Sequence, residues 1–242
     1  MNNTFDIKRF GQVLSLDWSN YVRNFGVSLL VWSLFPILVW ICTWVYGFEA
    51  ELASRELLIF IIMFVATMTA APKIYSKVNL PREGVAFAMT PATKFEKFLS
   101  MVLYCGLLTP LIVFLGQWLT DTILALLPFG GFHGFVSMNL SDAPGQLALL
   151  TIVCLLLDAS IFMFGNMIFK KRKLGKTFAS GLFIAFILTL LLQIQSIQNL
   201  VETVLDGIFN SDAAVWIITT LIFLVACVFF IGTFLKIKNQ KY

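Results

Sequence analysis

The sequence is dominated by six apolar runs, most of which approach the length of a membrane-spanning helix. An α-helix needs about 20 apolar residues to cross about 30 Å of hydrocarbon, whereas the strands of a membrane barrel are alternating segments of about ten. Hydrophobic residues make up 59% of the chain and charged residues 12%, against roughly 45–50% and about 25% in soluble domains. The sequence therefore predicts an all-α, polytopic membrane protein rather than a soluble enzyme.

The runs divide residues 1–242 into an N-terminal segment and six spans of a single transmembrane domain. In residues 2–24, apolar and charged residues alternate at helical spacing, which predicts a cytoplasmic amphipathic helix lying in the membrane interface. The alternative is that this segment is the frayed start of the first span. The spans are predicted at residues 27–46, 57–71, 98–119, 147–169, 177–194 and 213–235. Pro72 does not have to end the second span, because neighbouring groups can satisfy the carbonyl that a proline frees.

Basic residues are distributed very unequally between the two sides of this topology. Of the 17 Lys and Arg residues, Arg55 alone falls on the second side. Because cytoplasmic loops carry an excess of Lys and Arg, we expect both termini in the cytoplasm. The membrane is expected to be the cell inner membrane. This placement explains the net charge of +4, so we expect no nucleic acid partner. The predicted cytoplasmic residues are Lys8, Arg9, Arg23, Lys73, Lys77, Arg82, Lys94, Lys97, Lys170, Lys171, Arg172, Lys173, Lys176, Lys236, Lys238 and Lys241.

Two connections on the opposite side are long enough to have structure. Residues 127–136 form a glycine-rich aromatic turn that contains His133, the one histidine of the chain. A single histidine without nearby cysteines is far from a zinc site, so we expect His133 to be structural. Residues 197–209 carry apolar residues at helical spacing, which predicts an amphipathic helix ahead of the last span.

The longest charged interruption, residues 73–97, lies between the second and third spans. Its proline and glycine at 81 and 84 predict the start of a short helix that continues to Met89. Thr90 and Pro91 have the form of an N-cap followed by proline, and Thr93 with Glu96 matches a capping box. These signals predict two helices joined by a turn at the cytoplasmic face, where another protein is bound. A well-capped loop without a partner is an equal alternative on these signals alone.

The order of these elements resembles that of the type-2 ABC exporter permeases. Residues 89–93, Met-Thr-Pro-Ala-Thr, followed by Glu96 and Lys97 at the entry to the third span, are similar to the family's Leu-Pro-x-Ser/Thr motif and the residues after it. Thr90 stands where the family usually has leucine. Residues 160–177 are similar to the end of span four and the lysine-rich turn of permease-like proteins of Bacteroidetes.

The resemblance implies a permease subunit that forms the translocation path of an exporter, as a homodimer or with a second permease. The sequence has no Gly-x-x-x-x-Gly-Lys-Ser/Thr loop, so ATP would be bound and hydrolysed by a separate ABC ATP-binding subunit. We expect neither enzymatic activity nor a cofactor or metal in this chain. A Glu96→Lys change is expected to uncouple the ATPase without preventing membrane insertion. The residues implied as docking or helix-capping contacts are Arg82, Glu83, Thr90, Pro91, Thr93, Glu96 and Lys97.

Asp158 is predicted to be the one ionisable residue well inside a span. An isolated charge there costs roughly 2.5–3.5 kcal/mol, so its side chain is expected to face protein or water, or to be protonated. It is either part of a substrate path or proton site, or a packing residue that hydrogen-bonds a neighbour such as Gln193 or Gln195.

Other functional classes fit the sequence less well. An intramembrane protease needs paired catalytic groups at membrane depth, and a secondary transporter tends to show internal repeats. A non-transporting assembly or immunity factor that binds its partner through the same loop stays open as the alternative.

Overall fold

A computed structural model describes residues 5–47, 49–80, 84–127, 132, 134–136, 145–192 and 214–239. Regular structure within these residues is helical, and the one extended pair is an isolated bridge between Ala50 and Phe132. The helices are α1 (Ile7–Ser33), α2 (Phe35–Tyr46), α3 (Leu52–Ile74), α4 (Gly84–Met89), α5 (Lys94–Val102), a π-helical segment (Leu103–Leu108), α6 (Thr109–Ala125), α7 (Gly145–Ile168), α8 (Lys173–Leu192) and α9 (Ala214–Lys238).

Five helical stretches of the described chain are long and apolar enough to cross a membrane. They are Ile7–Tyr46, Leu52–Ile74, Lys94–Ala125, Leu149–Ile168 and Val215–Lys238. Large apolar side chains on their outer surfaces are exposed, among them Val27, Leu30, Trp44 and Val228. The predicted all-α membrane class agrees with this architecture.

The fifth predicted span falls mostly within α8, which is not among these five stretches. The predicted helix at residues 197–209 lies outside the described residues.

The predicted division between an interfacial segment and the first span does not coincide with a break in the helix. α1 continues without interruption across residues 24–27. Its buried residues are spaced by four on both sides of that boundary, and they are Val13, Asp17, Tyr21, Phe25 and Leu29. Because this face packs into the core along its whole length, the helix continues where local composition predicts a change.

α1 and α2 are instead separated at Leu34. Pro36 has no N–H, so the Trp32 carbonyl four residues earlier lacks its helical donor. Nε2 of Gln117 in α6 donates to that carbonyl oxygen at 2.9 Å. A neighbouring helix thus satisfies the group that the proline frees. In α3, by contrast, the helix continues through Pro72 to Ile74, as the sequence predicts.

One end of the bundle brings together the chain's N-terminal part, the end of α3, the start of α5, the end of α7 with the start of α8, and the end of α9. The Asn79 side chain donates to the Met167 carbonyl at 2.7 Å, and Nζ of Lys94 donates to the Lys238 carbonyl at 2.5 Å. The described basic residues other than Arg55 lie on the segments that meet here. We call this the basic end.

A buried ion pair between Arg55 of α3 and Asp121 of α6 stabilises the opposite end. Nε of Arg55 lies 3.0 Å from Oδ1 of Asp121, and Nη2 lies 2.5 Å from Oδ2. Nη1 donates to the Gly134 carbonyl at 3.1 Å, and Cζ lies 4.2 Å from the centroid of the Phe132 ring. Arg55 therefore holds the described part of the glycine-rich turn against both helices.

Besides Asp158, two ionisable residues that the sequence assigns to connections are buried near the ends of membrane-length helices. The side chains of Arg55 and Asp121 are 2% and 3% exposed and lie within membrane-length helices. Hydropathy assigns both residues to connections because each lies just outside an apolar run. The helices continue beyond those runs, so two opposite charges face each other and are buried together.

Because one charge of a buried pair cannot be removed without leaving the other unpaired, Arg55→Met and Asp121→Leu should each destabilise the protein by about 3–5 kcal/mol. The double variant should recover most of that loss, since two apolar side chains replace the pair. Unfolding of the purified chain by SDS in mixed micelles, followed by circular dichroism, measures the free energy of unfolding of the single and double variants. Additive losses in the double variant would contradict the account.

Candidate functional site

The turn between α4 and α5 is closed by the capping box that the sequence predicts. The Glu96 amide donates to the Thr93 hydroxyl at 3.2 Å, and the Thr93 amide donates to Oε2 of Glu96 at 2.8 Å. α5 therefore begins at Lys94, directly after the capping box, whereas residues 90–92, whose sequence has the form of an N-cap followed by proline, form a bend. We call residues 84–97 the elbow.

Glu96 also joins the elbow to the start of α1. Its Oε1 accepts a hydrogen bond from the Asp6 amide at 3.0 Å and lies 3.2 Å from Nη2 of Arg9. The Glu96 side chain is fully buried, whereas that of Arg9 is 24% exposed. The Glu96 carboxylate thus caps α5 and accepts a hydrogen bond from the amide of Asp6, the N-cap residue of α1. It also pairs with Arg9 in the first turn of α1.

Lys97 joins the two helices of the elbow. Its Nζ donates to the Phe87 carbonyl at 2.5 Å and lies 5.0 Å from the centroid of the Phe87 ring. Cations near the C-terminal carbonyls of a helix are favourable, and a nearby aromatic face adds to that attraction. Lys97 is 6% exposed, so it sets the position of α4 against α5 and lies inside the protein.

The predicted coupling residues therefore differ in what they can contact. Thr93 and Glu96 cap a helix, and Lys97 is buried within the elbow. Thr90 is half-buried and Pro91 is exposed. Arg82 and Glu83 lie outside the described residues. Because Glu96 supports the fold, a Glu96→Lys change would disrupt the elbow itself and would not separate docking from folding.

The described exposed residues of α4 are apolar. Val85 and Met89, one helical turn apart on α4, are 38% and 79% exposed. The sequence pattern indicates the charged and capping residues of this segment but does not indicate that Val85 and Met89 are exposed. α4 has six residues and no polar side chain, and the nearby Glu96 and Lys97 are buried. The exposed positions of α4 are therefore occupied by apolar side chains.

A cleft of about 440 Å³ lies between α1, the end of α3 and the elbow. The charged residues that line it are Asp17, Arg23, Lys77 and Lys97. Arg23 and Lys77 are exposed, whereas Asp17 and Lys97 are buried. The cleft is therefore bordered by cations and contains one carboxylate.

Asp17 connects three elements beside this cleft. Its Oδ2 accepts hydrogen bonds from the Tyr75 hydroxyl at 3.0 Å and from the Ser100 hydroxyl at 2.5 Å. Asp17 is one of the charged residues of the segment 2–24, for which the sequence predicts no specific contact. Its four-residue spacing from Val13 and Tyr21 is the signal that places it on the buried face.

A second cavity, of about 350 Å³, lies where the end of α3 meets the turn between α7 and α8. We call it the α8 cavity. Lys173, at the start of α8, is 8% exposed and donates from Nζ to the Ser76 carbonyl at 2.5 Å. Burial lowers the pKa of Lys173 to about 8, because a buried ammonium loses hydration. The preceding Arg172 has φ 51°, a left-handed conformation that is uncommon outside glycine.

Asp158 is 8% exposed in α7, and no hydrogen bond to its Oδ2 is made by the described residues. Leu155 and Phe162, three residues before and four residues after Asp158, share its helical face and are buried. Gly165, seven residues after Asp158, packs so closely on Thr177 of α8 that a Cβ would overlap that side chain. Gln193 and Gln195, the suggested partners, lie outside the described residues, so the packing and substrate-path interpretations both stay predictions.

Comparisons of the chain with family profiles, with characterised proteins and with solved structures found no match. Within the described residues, no group of three or more His, Cys, Asp and Glu side chains is arranged to hold a metal ion. His133 is outside those residues.

Replacing Asp17 by leucine should destabilise the basic end, because two buried hydroxyls lose their acceptor at about 1–3 kcal/mol for each group left unsatisfied. Asp17→Asn keeps a carbonyl oxygen at the same position and should therefore destabilise the basic end less than Asp17→Leu. Amide hydrogen exchange in residues 70–80 and 94–102 reports the local opening. Unchanged exchange in the leucine variant would show that the network does not hold these segments together.

Proposed function

We propose that the chain is the membrane-spanning subunit of an ATP-driven exporter that receives movement from a cytoplasmic ATPase through the elbow. The observation that supports this most directly is the position of Glu96. It connects the elbow with α1 and caps the helix that continues into a membrane-length stretch, Lys94–Ala125.

The contacts of the elbow make it suited to transmit movement. A displacement of α4 reaches α5 through the bond between Lys97 and the Phe87 carbonyl. It reaches α1 through the bonds of Glu96 with Asp6 and Arg9. Two of the long apolar helices therefore have to respond together to a force applied at the surface of α4.

The surface of α4 is suited to receive such a force. Val85 and Met89 are exposed apolar side chains at the end of the bundle where the basic residues collect. Exposed apolar groups at an interface provide binding free energy, and neighbouring cations favour an acidic partner. Lys94, which follows the turn, is exposed and supplies such a cation.

The proposed topology has six spans, with α8 as the fifth, and both termini in the cytoplasm. The collection of the described basic residues at one end supports this orientation. Most described side chains of α8 are exposed and many are apolar, including Phe178, Leu182, Phe183 and Phe186, which suits contact with lipid. Two such subunits, identical or different, enclose the path in the inner membrane, and Asp158 lies on it or packs beside it.

A non-transporting assembly or immunity factor would use the same elbow without an ATPase. The two functions differ in the partner that is retained. A tagged chain purified in mild detergent from its own cells should retain a protein with a phosphate-binding loop and ATPase activity. Failure to retain one would contradict the exporter proposal and favour the alternative.

Met89→Asp should weaken that association by about tenfold or more, because a charge replaces an apolar contact and about 1.4 kcal/mol corresponds to tenfold. Leu126→Asp is the matched control, since Leu126 is 67% exposed near the opposite end of the bundle. Retention of the ATPase, quantified by mass spectrometry against the tagged chain, measures the difference. Equal retention by the two variants would show that α4 is not the docking surface.

A further inference from the structure

The α8 cavity has an entirely cationic charged lining in the described part of the chain. Lys170, Arg172 and Lys173 line it, and no Asp or Glu does. The first turn of α8 contains no acidic residue either. Like charges that share one cavity repel one another, and an anion between them removes that repulsion.

Lys173 is fixed at the wall of this cavity. Its Nζ has one described acceptor, the Ser76 carbonyl, for three N–H donors. Lys173 as a whole is 8% exposed, so the residue is largely shielded from water. A buried cation of this kind is stabilised when a negative group comes within reach.

The walls of the cavity are held by packing on both sides. The Asn166 side chain donates to the Tyr75 carbonyl at 3.2 Å, which ties α7 to the end of α3. On the other side, Gly165 lets Thr177 of α8 approach α7 closely. The α8 cavity is therefore formed by three elements that contact one another, and no rearrangement is needed to create it.

An apolar surface leads away from the cavity along α8. Leu174 lines the cavity, and Phe178 and Leu182 follow at intervals of four on the same face of the helix. Their side chains are 38%, 51% and 58% exposed. A free inorganic anion makes no apolar contact with such a surface, whereas an acyl chain attached to the anion would lie along it.

We propose that the α8 cavity binds the phosphate-bearing headgroup of an anionic phospholipid from the leaflet at the basic end. Lys170, Arg172 and Lys173 contact the headgroup, and the acyl chains lie along Leu174, Phe178 and Leu182. This is a defined site and differs from the general attraction of a basic segment to an anionic surface. Lys171 and Lys176, in the same segment, do not line the cavity.

That difference provides a matched pair of variants. K170Q/R172Q removes two cations that line the cavity, and K171Q/K176Q removes two that do not. All four residues are exposed, so both proteins should fold. The full chain in mild detergent is titrated with dioleoylphosphatidylglycerol or dioleoylphosphatidylcholine, and native mass spectrometry counts the bound lipids.

We expect K170Q/R172Q to bind phosphatidylglycerol at least about tenfold more weakly. Each cation near an anionic surface contributes roughly a fivefold increase in affinity, and this variant removes two. K171Q/K176Q should bind it nearly as well as the unmodified chain, and phosphatidylcholine should bind weakly to all three. K170R/R172K keeps both charges and should retain the affinity, which separates loss of charge from misfolding.

Equal losses in the two glutamine variants would overturn the proposal in favour of diffuse attraction. Equal binding of phosphatidylglycerol and phosphatidylcholine by the unmodified chain would overturn it as well. A parallel titration with millimolar inorganic phosphate should leave the bound phosphatidylglycerol unchanged. If phosphate alone displaces the lipid, the cavity is a site for a free anion and the lipid assignment is wrong.

Discussion

The arrangement of the basic end depends on one buried carboxylate. Glu96 accepts hydrogen bonds from the Thr93 and Asp6 amides and pairs with Arg9. Hydrogen bonds to a charged acceptor are stronger than neutral ones, and losing a buried partner costs more than the bond itself contributes. The start of α5, the start of α1 and the angle of the elbow are therefore coupled, and none can shift without breaking a bond to this group.

The two ends of the bundle use buried charge differently. Arg55 and Asp121 satisfy each other at the opposite end and fasten a turn of the chain. At the basic end, buried Asp17, Glu96, Lys97 and Lys173 bind neutral hydroxyl, amide or carbonyl groups across elements, besides the pair of Glu96 with Arg9. Two cavities also open there. The basic end thus combines a connected framework with accessible surface, which is where we place both proposed interactions.

Much of the fold follows from the sequence because apolar length and helix-start chemistry are local properties. Five of the six predicted spans coincide with membrane-length helices, and the capping box at Thr93 and the continuation of α3 through Pro72 are confirmed. The pairing of Arg55 with Asp121 and the role of Asp17 could not be predicted in this way. Each depends on a contact between residues distant in the chain, and the local pattern shows only that a charge lies near an apolar run. The burial of Lys97 could not be predicted either, because it depends on the position of α4, whose Phe87 contacts the Lys97 side chain.

The central claim is that Glu96 makes the elbow and α1 move as one unit. Spin labels on cysteines introduced at Ile7 and Met89, which are 75% and 79% exposed, allow their separation to be measured by double electron–electron resonance in a cysteine-free background. The account predicts a single narrow distance distribution that broadens in Glu96→Ala and stays narrow in Glu51→Ala, an exposed carboxylate at the opposite end. A distribution that is the same with and without the Glu96 carboxylate would contradict it.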